Sequence, residues 1–466
     1  MLTSYPETSE SLASDSSPPT DISCHQRLAD LKSQLCVPPS ICFPSRRHSF
    51  IFMIDRALNF GAGPSALPEA VLQEATKGLL NFQDTGLGIA EISHRSQEFT
   101  KFLEGVEEDI RDLLNVTKET HHVLFTQGGG STQFSAVVLN MLARHHLLHP
   151  HLKPEERMMD YVLTGSWSKK AMEEAKRLGG GTVNVIADAR TSSDDGKSFD
   201  NIPARNSYKD EFSKNPALIY YCANETVDGV EFNDDLDSDT SFPFDALPDD
   251  APLVGDYSSS FMSRPIPHLE KHAVIYAGAQ KNLGPAGLTI LIVRKKDFNN
   301  EVNLDQAAQY GAIPIPLCLS YKTLIDHKSL YNTPPVLPIY ISGLVLKRMK
   351  QQTEENGMKG LDYYARCTNS KAAKLYAALK EGQARGVFKG KVREGSASKM
   401  NIVFDVVGDG KTAKFITGAE QRRMKGIKGH RSVGGVRVSL YNAVTEQEVD
   451  LFVQYMKYFI NENSKQ

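Results

Sequence analysis

Cysteine is scarce in this sequence and irregularly placed. The 466 residues include six cysteines that form no CxxC pair and no regular spacing, so neither a disulfide framework nor a cysteine-based zinc site is indicated. We therefore expect reduced thiols in a cytoplasmic protein. His145 and His149 have a spacing that could bind metal, but they lie where a helix runs into a proline-containing loop, and we predict no metal site.

Long apolar runs and an excess of one charge are also lacking. No segment approaches the roughly 18–20 apolar residues that a membrane-spanning helix requires. The 53 basic residues nearly balance the 56 acidic ones, and the formal net charge of -3 gives no broad attraction to nucleic acid or anionic lipid. The composition therefore predicts a protein that binds neither nucleic acid nor membranes.

The first 55 residues differ in composition from the rest of the chain. The stretch TSESLASDSSPPT is polar and rich in Ser and Pro, which is typical of segments that cannot bury enough apolar surface to fold. We predict that residues 1–55 are a disordered extension, with Met53 as an alternative start. Acidic residues in the first 30 positions argue against a transit peptide.

From Asn59 onward, short apolar runs alternate with amphipathic helical patterns. This alternation is typical of a parallel or mixed sheet with helices on both faces. The predicted strands lie at 122–126, 161–165, 182–187, 217–222, 252–258, 273–279 and 287–294. After about residue 350 the pattern indicates a smaller α+β region. We predict an α/β fold with a large domain over 56–350 and a C-terminal domain over 351–466.

Residues suited to cofactor chemistry follow several of these strands. The glycine turn in QGGGST precedes a helix, where backbone N–H groups and the helix dipole can bind an anion. Trp167, the single tryptophan, is either a core aromatic or a surface for stacking a flat cofactor. Asp256 ends an apolar strand, at the edge where ligands of α/β sheets bind. A buried carboxylate there requires a cation.

Lys281 lies in the glycine-flanked turn AGAQKNLGPAG behind another strand. A desolvated lysine has a lowered pKa and becomes a nucleophile toward aldehydes. Pyridoxal phosphate requires such an amine for its aldehyde and a carboxylate for its pyridine nitrogen. Asp256 and Lys281 meet these two requirements. A nicotinamide site at GAGPSA (61–66) is disfavoured because Pro64 interrupts the motif and no strand precedes it.

Taken in order, the motifs GGGST, CANETVDGVEF, GDYSSSF, AGAQKNLGPAG, YNTPP and KGHRSVGGVRVSLYNA, with Trp167, resemble the phosphoserine aminotransferase family. That family is in class V of the fold-type I pyridoxal-phosphate enzymes, and the resemblance covers about residues 57–462. It implies that Lys281 binds the cofactor covalently and that Asp256 pairs with the ring nitrogen. The remaining implied cofactor contacts are Trp167 on the ring, Thr226 at the phenolic oxygen, Gly130, Ser131 and Gln280 at the phosphate, and Asn332 and Thr333 from a partner subunit.

The resemblance also implies the substrates. Arg95 and Arg437 are candidates for substrate carboxylates, and His94, His430 and Arg431 are candidates for the substrate phosphate. The expected reaction moves an amino group between L-glutamate and 3-phosphohydroxypyruvate, giving 2-oxoglutarate and O-phospho-L-serine, in a homodimer with shared sites. 4-Phosphohydroxythreonine is a further possible substrate. Serine–glyoxylate-type transamination and cysteine desulfuration are the alternatives. Bacterial members often carry Arg where this chain has Ser131, so that contact to substrate phosphate is not expected here.

Overall fold

A mixed seven-stranded sheet lies at the centre of the computed structural model, which describes residues 56–208, 211–298 and 303–464. The strands up to residue 294 are β1 (Leu58–Asn59), β2 (His121–Gln127), β3 (Met158–Leu163), β4 (Thr182–Asp188), β5 (Leu218–Cys222), β6 (Asn224–Glu225), β7 (Val230–Glu231), β8 (Leu253–Asp256), β9 (His272–Gly278) and β10 (Leu288–Arg294). The sheet order is β2-β10-β9-β8-β5-β3-β4, and β10 runs antiparallel to both of its neighbours while the other pairs are parallel. The predicted strands are therefore present.

Helices cover both faces of this sheet, which explains why every residue of β9 and β10 is buried. They are α1 (Glu69–Leu80), α2 (Gln97–Leu114), α3 (Gly129–Leu148), α4 (Ser166–Leu178), α5 (Leu304–Gln309), α6 (Tyr321–Asp326) and α7 (Val336–Glu355). Apolar residues of α2 and α7 pack on one face, and those of α3 and α4 pack on the other. This arrangement confirms the predicted α/β class.

A second, three-stranded antiparallel sheet forms the core of the C-terminal region. The elements here are α8 (Asp362–Ala384), β11 (Phe388–Gly390), β12 (Asn401–Val406), α9 (Lys411–Gln421), β13 (Met424–Lys425), β14 (Val436–Ser439) and α10 (Glu446–Asn463), with sheet order β11-β12-β14. Strand β1 pairs with β13, and Phe60 joins the apolar cluster of this region, so the start of the described chain packs here. The predicted boundary at residue 350 stays a prediction, and α7 continues past it to Glu355.

Three of the sequence predictions concern features other than the α/β class. The predicted disordered extension, residues 1–55, lies outside the described residues. His145 has both ring nitrogens engaged, since Arg157 Nη1 lies 3.0 Å from Nδ1 and the Asn215 carbonyl oxygen lies 3.2 Å from Nε2. Burial lowers the pKa of His145 to about 4. This side chain therefore holds the end of α3 in place as a neutral group. In the described ranges, no helix is long and apolar enough to span a membrane.

Candidate active site

The parallel strands of the central sheet bring the predicted cofactor residues to one edge. Parallel strands have their carboxyl ends at the same edge, and residues that follow β2, β3, β5, β8 and β9 meet there. They line a cavity of about 170 Å³. Among the residues predicted from sequence, the lining includes Gly130, Ser131, Trp167, Thr226, Asp256, Gln280 and Lys281.

The glycine turn after β2 leaves backbone amides open toward this cavity. Gly128 and Gly129 have φ values of +108° and +67°, which favour glycine, and α3 begins at Gly129. The Gly129 amide donates to Thr289 Oγ1 at 2.8 Å. The next amides, those of Gly130 and Ser131, have no acceptor inside the helix because they lie in its first turn. The turn can therefore bind an anion such as a phosphate group.

Asp256 is buried at the end of β8 and keeps its carboxylate in a defined orientation. Its Oδ1 accepts from the Ser258 amide at 2.8 Å, and its Oδ2 accepts from the Tyr276 hydroxyl at 3.0 Å. Burial raises the pKa of Asp256, while these hydrogen bonds oppose the shift. No ion pair to Asp256 occurs within the described ranges. A buried carboxylate with hydrogen bonds but no cation suits a cationic ring nitrogen.

Lys281 follows β9 in a tight turn and is only 8 % exposed. Its Nζ lies 3.3 Å from Thr226 Oγ1, and desolvation lowers the pKa of Lys281 to about 8, with Arg437 adding to the shift. Gly63 packs against the lysine side chain, and a Cβ added there would lie 3.0 Å from Lys281 Cδ. The turn is further held by the Ser65 amide, which donates to the Gln280 carbonyl at 3.1 Å.

Trp167 and Thr226 complete the cavity wall. Trp167 stands in the first turn of α4, tilted against Phe134 with ring centroids 6.3 Å apart. Its Nε1 is buried without a hydrogen-bond partner among the described residues. The Lys170 Nζ lies 4.6 Å from the centre of the indole ring. The indole ring is therefore part of the cavity wall and not only of the protein core.

The predicted substrate residues are only partly brought to this site. Arg437 Nη1 donates to the Thr226 carbonyl at 3.1 Å, so this guanidinium adjoins the cavity. His430 and Arg431 lie in the turn before β14, where burial and the cations Arg437 and Lys170 lower the pKa of His430. Neither residue lines the cavity. His94 and Arg95 lie before α2 and are also absent from its lining.

Asn332 and Thr333 are exposed and do not line the cavity of their own chain. The Thr333 carbonyl accepts from Gln127 Nε2 at 3.0 Å, which places this segment beside the end of β2. The segment is thus near the glycine turn but outside the cavity lining. The predicted role of these two residues in a partner's site stays a prediction.

Several residues of the site were missed by the sequence analysis. GAGPSA was rejected as a nicotinamide motif and no contact with Lys281 was predicted for it, but its Gly63 and Ser65 pack over the Lys281 turn. Tyr441 was also missed; its ring centre lies 5.9 Å from Lys281 Nζ, and its hydroxyl donates to the Ala62 carbonyl at 3.2 Å. Cys222 lines the cavity at the end of β5. A signal was present for Cys222, because it ends a predicted strand, but not for Tyr441.

The residues present fit pyridoxal phosphate. Its aldehyde requires an amine, its ring nitrogen a carboxylate, and its phosphate an anion site. The cavity supplies these as Lys281, Asp256 and the open start of α3. Asp256, a buried carboxylate with no ion pair to any residue that the structure describes, is the feature that most needs a cationic group.

Comparisons with known proteins agree with this assignment. The family model described as aminotransferase class-V matches residues 57–452. A phosphoserine aminotransferase from Ectopseudomonas mendocina (strain ymp) is 40% identical over 416 residues, covering 88% of this chain and 100% of the relative. The solved phosphoserine aminotransferase from Bacillus circulans subsp. alkalophilus has 35% identity and a TM-score of 0.74, covering 88% of this chain and 100% of that one. That from Trichomonas vaginalis, described as PLP-bound, has 34% identity and a TM-score of 0.70, covering 86% and 100%.

Proposed function

The chain belongs to the class-V aminotransferase family, and from this membership we propose that it is a phosphoserine aminotransferase. The reaction transfers an amino group between L-glutamate and 3-phosphohydroxypyruvate, forming O-phospho-L-serine and 2-oxoglutarate in serine biosynthesis. The observation that carries the proposal is the pairing of buried Lys281 with buried Asp256 across one cavity. The cofactor is pyridoxal 5'-phosphate.

When bound, pyridoxal phosphate supplies an aldehyde for amines and a ring that accepts electrons. Lys281 provides the amine that holds it. With a pKa of about 8, this amine is neutral in a useful fraction of molecules near neutral pH. The same Nζ removes the proton from the substrate Cα and holds it, as general base and then general acid.

The other cavity residues orient the reacting groups. Asp256, fixed by Ser258 and Tyr276, holds a proton at the ring nitrogen. Trp167 would stack on the ring, and Thr226 would donate to the phenolic oxygen. The amides of Gly130 and Ser131, with Gln280, would bind the phosphate at the positive end of α3.

The substrate preference follows from a cationic surface beside the cavity. Burial and the neighbouring cations Arg437, Lys170 and Arg431 lower the pKa of His430, so a cluster of cationic groups surrounds this side chain. Such a cluster favours a dianionic phosphate over an uncharged hydroxyl, since hydrogen bonds between charged groups are the stronger ones. We assign the substrate phosphate to His94, His430 and Arg431, and substrate carboxylates to Arg95 and Arg437.

A cysteine desulfurase is not favoured by this site. That chemistry requires a cysteine thiolate that can reach the substrate. Cys222 does line the cavity, but it is buried in β5, and its thiol donates to the Asn224 carbonyl at 3.4 Å. Burial and the neighbouring carboxylates raise the pKa of Cys222, so it remains a thiol. Cys318 and Cys367 do not line the cavity.

We also propose a cytoplasmic homodimer with shared active sites. Asn332 and Thr333 are exposed on the chain that carries them, and so is Arg95, although all three are assigned to an active site. Pro334 and Pro335 favour an extended segment ahead of α7. A two-fold interface would bring such residues into the partner's cavity, because the same surface of each subunit contributes residues to the partner and accepts the partner's residues. Sedimentation analysis tests this, and a fully active monomer would contradict it.

The decisive experiment is an assay of the purified protein with L-glutamate and 3-phosphohydroxypyruvate. We expect stoichiometric O-phospho-L-serine and 2-oxoglutarate. Hydroxypyruvate, which lacks the phosphate, is the matched control and should be a far poorer acceptor. L-Serine with glyoxylate tests the serine–glyoxylate alternative, and 4-phosphohydroxythreonine tests the longer phosphorylated substrate. Equal rates with hydroxypyruvate and its phosphorylated form would refute the proposed specificity.

A further inference from the structure

The first turn of α4, which carries Trp167, is held by two carboxylates from another part of the chain. Glu225 Oε2 accepts from the Trp167 amide and Glu225 Oε1 from the Ser168 amide, both at 2.8 Å. Asp228 Oδ2 accepts from the Ser166 amide at 2.6 Å, and its Oδ1 accepts from the Ser166 hydroxyl at 3.1 Å. The amides of the first three residues of α4 therefore all donate to Glu225 or Asp228.

These two carboxylates accept from amides that a side chain at the N-cap position can satisfy locally in other helices. The residue before α4 is Gly165, which has no side chain with which to cap the helix. A Cβ on Gly165 would overlap the Glu225 carboxyl group. The absence of a side chain at Gly165 thus leaves room for the Glu225 carboxylate at the start of α4. The carboxylate could not occupy this position beside any other residue type at 165.

Burying two carboxylates to bind the first amides of a helix is energetically unfavourable. Glu225 is fully buried and Asp228 is 8 % exposed, and no ion pair to either occurs within the described ranges. Burial, followed by repulsion from Asp228, raises the pKa of Glu225, while the hydrogen bonds from Ser168 and the Trp167 amide oppose that shift. A single Ser, Thr, Asn or Asp cap stabilises an ordinary helix without burying two like charges. Buried titratable groups of this kind concentrate at functional sites.

The hairpin that carries both carboxylates also touches the rest of the site. Between β6 and β7, Thr226 accepts from Lys281 Nζ through Oγ1 at 3.3 Å and from Arg437 Nη1 through its carbonyl at 3.1 Å. At Gly229 the hairpin packs on β12 so closely that an added Cβ would lie 2.6 Å from Val403 Cγ2. One short segment therefore connects Trp167, Lys281 and Arg437.

We propose that Glu225 and Asp228, here called the carboxylate clasp, are positioning residues that orient Trp167 relative to Lys281. The clasp sets the direction of the first turn of α4, and hence the plane of the indole ring in the cavity wall. Its effect on catalysis rests on the proposed function, whereas its effect on Trp167 does not.

The single tryptophan gives a direct test in the cofactor-free protein. In Glu225→Gln, the amide group retains one acceptor oxygen but turns an N–H₂ toward the backbone N–H of Trp167 or Ser168, which should displace the turn. We expect a shift of the Trp167 emission maximum and greater quenching by iodide than in the wild type. Unchanged emission and quenching in folded Glu225→Gln would overturn the proposal.

Glu231→Gln is the matched control. Glu231 is buried on the same hairpin and loses the same charge, but it contacts Arg264 at 3.0 Å and the Lys399 amide, and not α4. This variant should be less stable than the wild type while its Trp167 emission stays unchanged. An equal emission change in Glu231→Gln would show that general loosening, and not the clasp, moves the indole ring, and would also overturn the proposal.

Kinetics of the cofactor-loaded enzyme then measure how much the orientation of Trp167 contributes to catalysis. Because small misplacements in a site are costly, we expect kcat of Glu225→Gln to fall roughly 10- to 100-fold with a smaller change in KM. A folded variant with the wild-type kcat overturns the proposal. If Glu225→Gln does not fold, Asp228→Asn provides the same comparison, with the same outcomes. A wild type that does not form O-phospho-L-serine would refute the proposed function alone, since the emission comparison needs no substrate.

Discussion

Replacing Asp256 by Asn should remove most of the catalytic power of the site while leaving the fold in place. Asn can keep the hydrogen bond from the Ser258 amide through its oxygen. Its N–H₂ can donate to the Tyr276 hydroxyl if that hydroxyl turns toward the Tyr220 hydroxyl, which lies 2.8 Å away. The local hydrogen bonds can thus be re-formed, and we expect a stability loss of roughly 1 kcal/mol or less.

The loss of charge is the larger effect. A carboxylate and a cation about 3 Å apart, at an effective dielectric of about 20, attract each other by about 5 kcal/mol. Asp256 is 5 % exposed, so solvent screening is weak. The amide dipole retains part of this attraction. We therefore expect a loss of about 3–4 kcal/mol of transition-state stabilisation, or roughly 10²–10³-fold in kcat.

The assay measures the single-turnover rate with saturating O-phospho-L-serine. The absorbance of the bound cofactor is the signal that is monitored. Tyr276→Phe removes the hydrogen bonds to Asp256 Oδ2 and to the Tyr220 hydroxyl but keeps the carboxylate, so it should lose about 10-fold or less. Asp160→Asn is the matched control, because Asp160 is buried in β3 but bonds to Ser213 and Asn184 outside the cavity. A cofactor-loaded Asp256→Asn protein within about threefold of the wild-type rate would refute the electrostatic role.

Four further predictions follow from the same geometry. Lys281→Ala should abolish turnover with the fold intact, and normal turnover in that protein would contradict the assignment of Lys281. Burial lowers the pKa of Lys281 from 10.5 to about 8, so between these values the unfolded chain binds a proton that the folded chain has released. The stability of the cofactor-free wild type relative to Lys281→Met should therefore rise from pH 8 to 10.5, by at most about 3 kcal/mol in denaturant unfolding, and a flat or falling difference would be evidence against it. Arg431→Ala should reduce kcat/KM for 3-phosphohydroxypyruvate by about 10- to 150-fold and affect the glutamate half-reaction much less, whereas equal losses would point to another role. Coexpression of Lys281→Ala with an Asn332→Ala/Thr333→Ala protein should restore activity in mixed dimers, and verified mixed dimers without recovery would exclude shared sites.

The α/β class and most of the cavity could be predicted because they depend on local patterns. Apolar runs buried on both faces predicted the strands, and the carboxyl ends of parallel strands share one edge. Gly130, Trp167, Asp256 and Lys281 each follow or end such a strand, so parallel strands bring them to one edge of the sheet. The chemistry of an amine and a carboxylate then indicated the cofactor.

Other parts of the site depend on contacts between distant segments, for which no local pattern exists. Gly63 reaches Lys281 because β1 pairs with β13, and Tyr441 reaches it because the end of β14 packs beside the central sheet. Nothing in the segments GAGPSA or SLYN specifies that they contact Lys281. Both contacts depend on how the C-terminal region packs against the central sheet.

Sequence by itself determined which side chains we propose for the chemistry: a lysine and an aspartate at strand ends, a glycine turn before a helix, and one tryptophan. Only the tertiary structure decided how they are held, because hydrogen bonds across long sequence separations set their orientation. The clearest case is Glu225, 58 residues beyond Trp167, whose carboxylate accepts from the Trp167 amide. Such a contact exists only after the hairpin and α4 have packed together. Their packing fixes the orientation of the carboxylate, and it also removes the carboxylate from water, which costs free energy.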